Sequence, residues 1–363
     1  MTGTSLIAAG AAAYLLSDRQ DAVRANVPDM PGGQIPFRPG EREILYLASL
    51  APSGHNTQPW KVRYLEPYRW VVGNDRARWL PAVDPQQRET VLSIGAFLQN
   101  LEYAAASLGF EAGFTLLADS NQAEDLVAVT LRQTGRAPAF DAQTIRRRRT
   151  LRSGYLNDPI RPADLEFLTG GDGAFFHFFS NGSREFQWLN EQTIEANRRQ
   201  AYRDDAQSEL AGWMRFRSRD ALKHLDGLTV AGMEIGGFAG WVVRNFYTRA
   251  DVMGPGFREQ GLDQVRSQVS RSGGWLLLGS RDQSVAELLE CGRRLQRLLL
   301  RMREKGIAVH PMTQILEEVP HREALGAATG LPMPVQFILR TGYVRNYPDP
   351  VSLRRPVERF VGV

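Results

Sequence analysis

Ala51-Pro-Ser-Gly-His-Asn-Thr-Gln-Pro-Trp60 is the stretch on which the reading of this chain turns. It leaves a helix, runs through small polar residues and enters a strand at Trp60. Ser53, Asn56 and Gln58 offer side-chain donors and acceptors, and Gly54 lets backbone approach a neighbour closely. Such a short, backbone-rich lining suits the edge of a planar heteroaromatic ring with alternating donors and acceptors. The same features describe an ordinary capped loop ahead of a buried Trp, and the loop's chemistry alone favours that plainer reading.

Upstream, Ile44, Leu47, Ala48 and Ala51 fall on one face of a helix over Glu41 to Ala51, which Pro52 ends. Downstream, Trp60 to Leu65 and Arg69 to Gly73 read as strands with Pro67 in the turn between them. A long helix is predicted over Ser93 to Leu108, with Phe97, Leu101, Ala104 and Leu108 on its buried stripe, and Leu126 to Leu131 is strand-like. A run of arginines follows: Arg146, Arg147, Arg148, Arg149 and Arg152. The segment Asn181 to Leu262 is rich in Arg, Gln, Gly and Trp, has helical stretches but no evident strand, and reads as an insertion. Strand-like Trp275 to Gly279, a helix over Ser284 to Lys305 and a strand over Val335 to Thr341 close the body.

The two long helices resemble each other. One reads Gly95-Ala-Phe-Leu-Gln99-Asn-Leu101 and ends at Leu108-Gly109-Phe110; the other reads Gly292-Arg-Arg-Leu-Gln296-Arg-Leu298 and ends at Lys305-Gly306-Ile307. Gly, Gln, Leu and the terminal Gly keep the same spacing in both. Any two amphipathic helices share apolar spacing and a Gly after their last turn. The joint match favours duplication, and a period of roughly 200 residues fits doubled domains, not a solenoid.

Composition sets the bounds. The 363 residues are 43% hydrophobic and 23% charged, which excludes bulk disorder. A single cysteine excludes an intramolecular disulfide scaffold and any multi-cysteine zinc site, and five scattered histidines give no metal-binding pair. The 44 basic against 40 acidic residues leave a net charge of +4, too small to argue a polyanionic partner. No groove-reading or aromatic-interleaved motif accompanies the arginines, so nucleic acid is not the expected ligand. Ser5 to Leu16 is apolar but shorter than the ~20 residues that span a bilayer. No Lys or Arg precedes it, whereas a secretory signal opens with positive charge. It reads either as part of an export signal whose basic start is missing, with membrane or cell-envelope association, or as a helix packed on a cytoplasmic protein. Asp21 to Gly40 reads as a linker.

The run SGHNTQPW after an apolar helix closely resembles the flavin-binding loop of nitroreductase-like FMN flavoproteins. Arg148-Arg149-Thr150-Leu151-Arg152 resembles that family's Arg-Arg-Ser/Thr-x-Arg motif. The helix from Gly292 followed by Gly306-Ile-Ala-Val-His-Pro-Met-Thr-Gln314 is similar to its core helix and the loop at the flavin's reactive edge. Ser352-Leu-Arg354-Arg355-Pro356 resembles its closing phosphate-binding segment. The order of the pieces, with Asp84-Pro-x-x-Arg88-Glu89 ahead of the Gly95 helix, resembles the Acg-type subfamily, in which two nitroreductase-like halves are fused.

The resemblance implies an α+β nitroreductase-like fold duplicated in one chain as an intramolecular pseudo-dimer, acting as a monomer. Its parts would be a leader and linker over 1–40, a first half over 41–140, and a second half over 141–363 with a lid-like insertion at about 181–262. It implies FMN, gripped by Pro52, Ser53, Gly54, Asn56, Gln58, Arg148, Arg149, Thr150, Arg152, Thr313, Gln314 and Arg354. Arg148 and Arg152, four apart, would project together from a first helical turn onto the phosphate. Pro311, Met312, Thr313 and Gln314 would border flavin N5, with no catalytic side chain required. His55 and His310 are expected to be structural and Cys291 to lie in the core. The implied activity is hydride transfer from NAD(P)H to a small electron-poor acceptor, a nitroaromatic or a quinone. The alternative is a flavin-sequestering protein in which the insertion, with Trp188, Trp213, Phe216 and Trp241, closes over the ring.

Overall fold

A computed structural model describes residues 17–18, 20–27, 35–135 and 140–363. The apolar stretch Ser5 to Leu16 lies outside the described residues. Eleven strands are present among them: β1 Trp60–Glu66, β2 Arg69–Asn74, β3 Phe110–Leu116, β4 Asp125–Gln133, β5 Phe176–Ser180, β6 Met214–Arg215, β7 Leu228–Thr229, β8 Gly274–Gly279, β9 Ile307–Pro311, β10 Val335–Tyr343 and β11 Val361–Gly362. The architecture is mixed α+β, with a five-stranded sheet ordered β11-β1-β2-β4-β3 and a four-stranded sheet ordered β5-β8-β10-β9. Strand β11 runs parallel to β1, pairing Val361 with Val62, so the far end of the chain closes the edge of the first sheet.

Side-chain alternation explains how the sheets pack. Along β1, Trp60, Val62 and Tyr64 are buried while Lys61, Arg63 and Leu65 face water. Strand β8 is buried on both faces. Its Leu276 and Leu278 join the main core, and its Trp275 and Leu277 pack against Leu189 and Ile315 on the other side. The main core runs from Trp60, Trp70 and Val72 through Phe97 and Leu101 to Leu288, Leu295 and Leu299, so the two long helices lie at its centre.

Those helices span Arg88–Ser107 and Val285–Lys305. They cross at two glycines. A Cβ on Gly95 would stand 2.1 Å from the Leu289 carbonyl oxygen, and one on Gly292 would stand 2.0 Å from that of Leu92. No side chain fits at either position, so the backbones touch. Beside the crossing, Gln296 Nε2 donates to Asn100 Oδ1 at 2.7 Å and Arg297 Nη1 donates to Gln99 Oε1 at 2.9 Å.

Several sequence expectations are corrected. The first long helix begins earlier than Ser93, because Asp84 Oδ2 accepts from the Thr90 N–H at 3.1 Å and stabilises an extra turn. Strands β3, β5, β9 and β11 were not anticipated; β3 is an edge strand with half-exposed and exposed residues and no clean apolar face. The insertion is not strand-free, since β6 and β7 pair in parallel within it. Arg148 and Arg152 do not share a helical turn. The helix Ala142–Arg147 ends before them, Arg148 is extended at ψ 134°, and the Leu151 N–H donates to the Val309 carbonyl at 3.2 Å. No helix among the described residues is long and apolar enough to cross a membrane.

Candidate functional site

The helix Glu41–Ser49 delivers the chain through Pro52 into the loop, where His55, Asn56 and Gln58 take positive φ of 47°, 55° and 55°. That conformation costs side-chain-bearing residues roughly 1–2 kcal/mol each. Polar side chains hold it. The Gln58 N–H donates to Ser53 Oγ at 2.9 Å. Asn56 Nδ2 donates to the Gly227 and Leu353 carbonyls, both at 3.2 Å. Gln58 Nε2 donates to the Leu225 carbonyl at 2.9 Å, and its Oε1 accepts from the Arg355 N–H at 2.9 Å. A Cβ on Gly54 would stand 3.0 Å from Leu80 Cδ1, so this turn sits tight against its neighbour. Asn56 and Gln58 therefore knit the loop to the insertion and to the chain's closing segment.

The arginines sort by what they meet. Arg146 is paired with Glu43, and Arg147 is exposed. Arg149 Nη2 donates to Glu234 Oε1 at 3.0 Å. Arg148 Nη2 donates to the Leu50 carbonyl at 2.7 Å, and Arg354 Nη2 reaches the same oxygen at 3.3 Å. Arg354 also donates to the Ser49 carbonyl at 2.8 Å and to Asn56 Oδ1 at 2.8 Å. Neither Arg148 nor Arg354 meets a carboxylate among the described residues, and Arg148 Nε is buried without a partner. Burial pushes Arg148 down to about 10; Arg354 is driven well below its ordinary value by burial, then by Arg24 and Arg148. Thr150 lies half-buried between Arg149 and Leu151.

Arg152 is held differently. Its Nη1–H donates to His310 Nε2 at 2.7 Å and its Nε–H to the Gly232 carbonyl at 3.2 Å. Because arginine only donates, His310 Nε2 is the acceptor and the ring's proton resides on Nδ1, which is buried without a partner. Burial, then Arg152 and Arg340, hold His310 neutral, its pKa far below the usual imidazole value. Beyond β9, which ends at Pro311, the Met312 N–H donates to the Ile338 carbonyl at 2.9 Å. Thr313 Oγ1 donates to Glu317 Oε1 at 2.9 Å, Gln200 Nε2 donates to Glu317 Oε2 at 2.5 Å, and Gln314 Oε1 is buried without a partner. Burial, then the nearby Glu89, pushes the Glu317 carboxyl up to about 8. Cys291 lies in the core, its thiol pushed up to about 12 by burial.

Within the segment 181–262, Leu225 to Glu234 bond to the Ala51–Trp60 loop and the arginine motif, and Trp213 packs against Leu80 beside Gly54. Glu234, at φ 62°, accepts from Arg149, from the Arg152 N–H at 3.1 Å and from Ser153 Oγ at 2.6 Å. A cavity of about 130 Å³ lies under the helical part of the insertion, lined by His55, Asn197, Gln200, Gln207, Phe257 and Arg258 among others. Burial, then Arg152, pushes His55 down to about 4, so it stands neutral there. The structure thus brings the Ala51–Trp60 loop, Arg148, Arg152 and Arg354 into one region, with Thr313 linked to it through Gln200 and Glu317. Glu234 and Arg24 were missed. No motif marks either, and Arg24 lies in a stretch read as linker.

The chain is similar over most of its length to several proteins named as NAD(P)H nitroreductases. Among them its likeness runs to the Acg type. It is 26% identical over 338 residues to a Mycobacterium tuberculosis protein provisionally named NAD(P)H nitroreductase acg, covering 89% of this chain and 95% of that one. It is 28% identical over 333 residues to Rv3131 of the same organism, provisionally named an NAD(P)H nitroreductase, covering 88% and 90%. It is 26% identical over 359 residues to PigM of Serratia, again provisionally named an NAD(P)H nitroreductase, covering 88% and 92%. No protein-family model matches. Similar solved structures include the FMN-dependent nitroreductase NfnB of Mycobacterium smegmatis in complex with NADPH, at 16% identity and TM-score 0.35 over 57% of this chain and 91% of that one. Another is an Anabaena variabilis protein provisionally described as a nitroreductase, at 10% identity and TM-score 0.41 over 82% of each chain.

Proposed function

We propose that the chain is an FMN-dependent oxidoreductase of the nitroreductase type, taking hydride from NAD(P)H and delivering it to a small electron-poor acceptor such as a nitroaromatic or a quinone. The relatives' names supply the class of activity. The observation that carries the reading in this chain is the pair Arg148 and Arg354, buried, converging on one carbonyl oxygen and meeting no carboxylate among the described residues. Uncompensated buried guanidinium is costly, and a phosphate with nearly two negative charges is the group that offsets it. The partnerless Arg148 Nε–H and His310 Nδ1–H are further donors suited to a ligand rich in acceptors.

When bound, FMN supplies the hydride chemistry at its N5 atom. The chain binds and orients. Arg148, Thr150 and Arg354 would hold the phosphate, with Arg149 at its margin. Arg152, fixed by neutral His310, would bring positive charge to the ring. Pro52, Ser53, Gly54, Asn56 and Gln58 would border the ring's polar edge, and Pro311, Met312, Thr313 and Gln314 its reactive edge. In this reading 41–140 and 141–363 are two halves packed as a pseudo-dimer within one chain, and the mutual approach of Gly95 and Gly292 supports it.

A second reading, flavin sequestration, is favoured by one specific observation. The insertion bonds directly to the loop and the arginine motif through Leu225, Gly227, Gly232 and Glu234. The visible spectrum of the purified full chain, before and after anaerobic NADPH, tests both. A yellow protein that bleaches, and turns over with menadione or nitrofurazone, supports the oxidoreductase. Yellow without bleaching or turnover supports sequestration, and a protein that neither carries nor takes up FMN overturns both.

A further inference from the structure

We infer that Arg24, in the segment ahead of the first sheet, is the third arginine of the phosphate site and makes that site selective for a terminal phosphate monoester. The inference rests on the FMN reading above and goes beyond it, because Arg24 belongs to none of the motifs that suggested the cofactor.

Arg24 is fixed between the two segments that carry the other arginines. Its Nε–H donates to the Ser352 carbonyl at 3.1 Å and its Nη1–H to the Arg146 carbonyl at 3.4 Å. Each acceptor lies two residues before a site arginine, Arg354 in one case and Arg148 in the other. The backbone holds the same position, the Arg24 N–H donating to the Val351 carbonyl at 3.2 Å. On either side Ala22 and Val27 pack against the fully buried Leu353. This is a seated segment and not a passing one.

Charge then separates Arg24 from ordinary surface arginines. Arg146 has Glu43 and Arg149 has Glu234, but Arg24, Arg148 and Arg354 have no carboxylate partner among the described residues. Their acceptors are backbone carbonyls and Asn56, which satisfy N–H groups without neutralising charge. Burial lowers all three, and repulsion adds to it: from Arg146 on Arg24, from Arg24 on Arg148, and from Arg24 and Arg148 together on Arg354. Phenols are the other polar neighbours: Tyr46 near Arg24 and Arg354, and Tyr347 near Arg148. Three guanidiniums in one place match a dianionic phosphate. A ligand lacking phosphate would leave all of that charge exposed to its own repulsion.

The test compares FMN with riboflavin, which share the ring and differ at the phosphate, by flavin-fluorescence titration of the full chain freed of bound flavin. Wild type should prefer FMN. Arg24→Gln, which keeps a donor and drops the charge, and Arg24→Ala should each weaken FMN roughly 10- to 100-fold, the loss of one charge-assisted bond, while leaving riboflavin affinity unchanged. Circular dichroism checks that the variants fold, and Arg24→Gln decides the matter should Arg24→Ala fail to. An FMN-to-riboflavin ratio unchanged in Arg24→Gln but lowered in Arg148→Ala overturns the role of Arg24 alone. A wild type that binds neither flavin, or both equally, overturns the FMN reading instead.

Discussion

Gly95 and Gly292 face each other where the long helices cross, the Cα of each lying 3.0 Å from the place a Cβ on the other would occupy. What each would strike first is a backbone oxygen, at 2.1 and 2.0 Å, which cannot rotate away as a side chain could. Gly95→Ala or Gly292→Ala should therefore force the helices apart and destabilise the chain by about 1–3 kcal/mol or more. Equilibrium urea unfolding measures it. An unchanged midpoint in both variants would mean that the helices are not in contact there.

Arg148→Ala and Arg354→Ala should each strip FMN from the purified protein. Each removes a charged hydrogen-bonding group, roughly 1.5–3 kcal/mol of binding. The ratio of flavin to protein absorbance reports occupancy, and full occupancy in both variants would refute the phosphate assignment.

Glu234→Gln should loosen the insertion. It leaves the buried Arg149 guanidinium without its carboxylate, a change that costs about 3 kcal/mol when a largely buried pair is broken. Limited proteolysis should cut faster between residues 225 and 235, and flavin exchange should quicken. Cleavage and exchange rates equal to wild type would show that Glu234 does not hold the insertion down.

Glu317 gives a pH signature. Its folded value of about 8 lies above the ordinary 4.5, so between those values the folded chain binds a proton that the unfolded chain has lost. This contribution to stability is fully present below pH 4.5 and declines as pH rises towards 8. Glu317→Gln, neutral at every pH, should lack the decline. Urea midpoints measured across that range should therefore converge or cross between wild type and variant as pH rises. A constant difference would mean that Glu317 is ionised throughout.

The long helices, the strands around the Ala51–Trp60 loop and strands β8 and β10 were legible because burial imposes a period on their side chains. Ile44, Leu47 and Ala48, for instance, had to share a face. Strand β3 was not, since its residues are half-exposed or exposed. The arginine motif was legible as a cluster of charge, and its geometry is not the one its spacing suggests. Spacing of four suggests a helical face, yet Leu151 is claimed by Val309 of another strand, a partner that local sequence cannot reveal. Arg24 and Glu234 were invisible for the same reason. Each matters through what the fold brings near it, and a lone arginine in a linker or a lone glutamate in an insertion looks like any surface charge.

Strand β11 lies on the edge of β1, and Arg355 just before it donates through Nη2 to the Gln58 carbonyl at 2.6 Å and the Trp60 carbonyl at 2.9 Å. During synthesis these partners emerge about 300 residues after the loop they complete. The nascent first sheet therefore waits on the ribosome with an open edge and an unfinished pocket. On the FMN reading proposed above, cofactor loading would follow synthesis of these residues, and a chain interrupted before Arg354 should accumulate colourless, with β1 free to pair with whatever strand it meets.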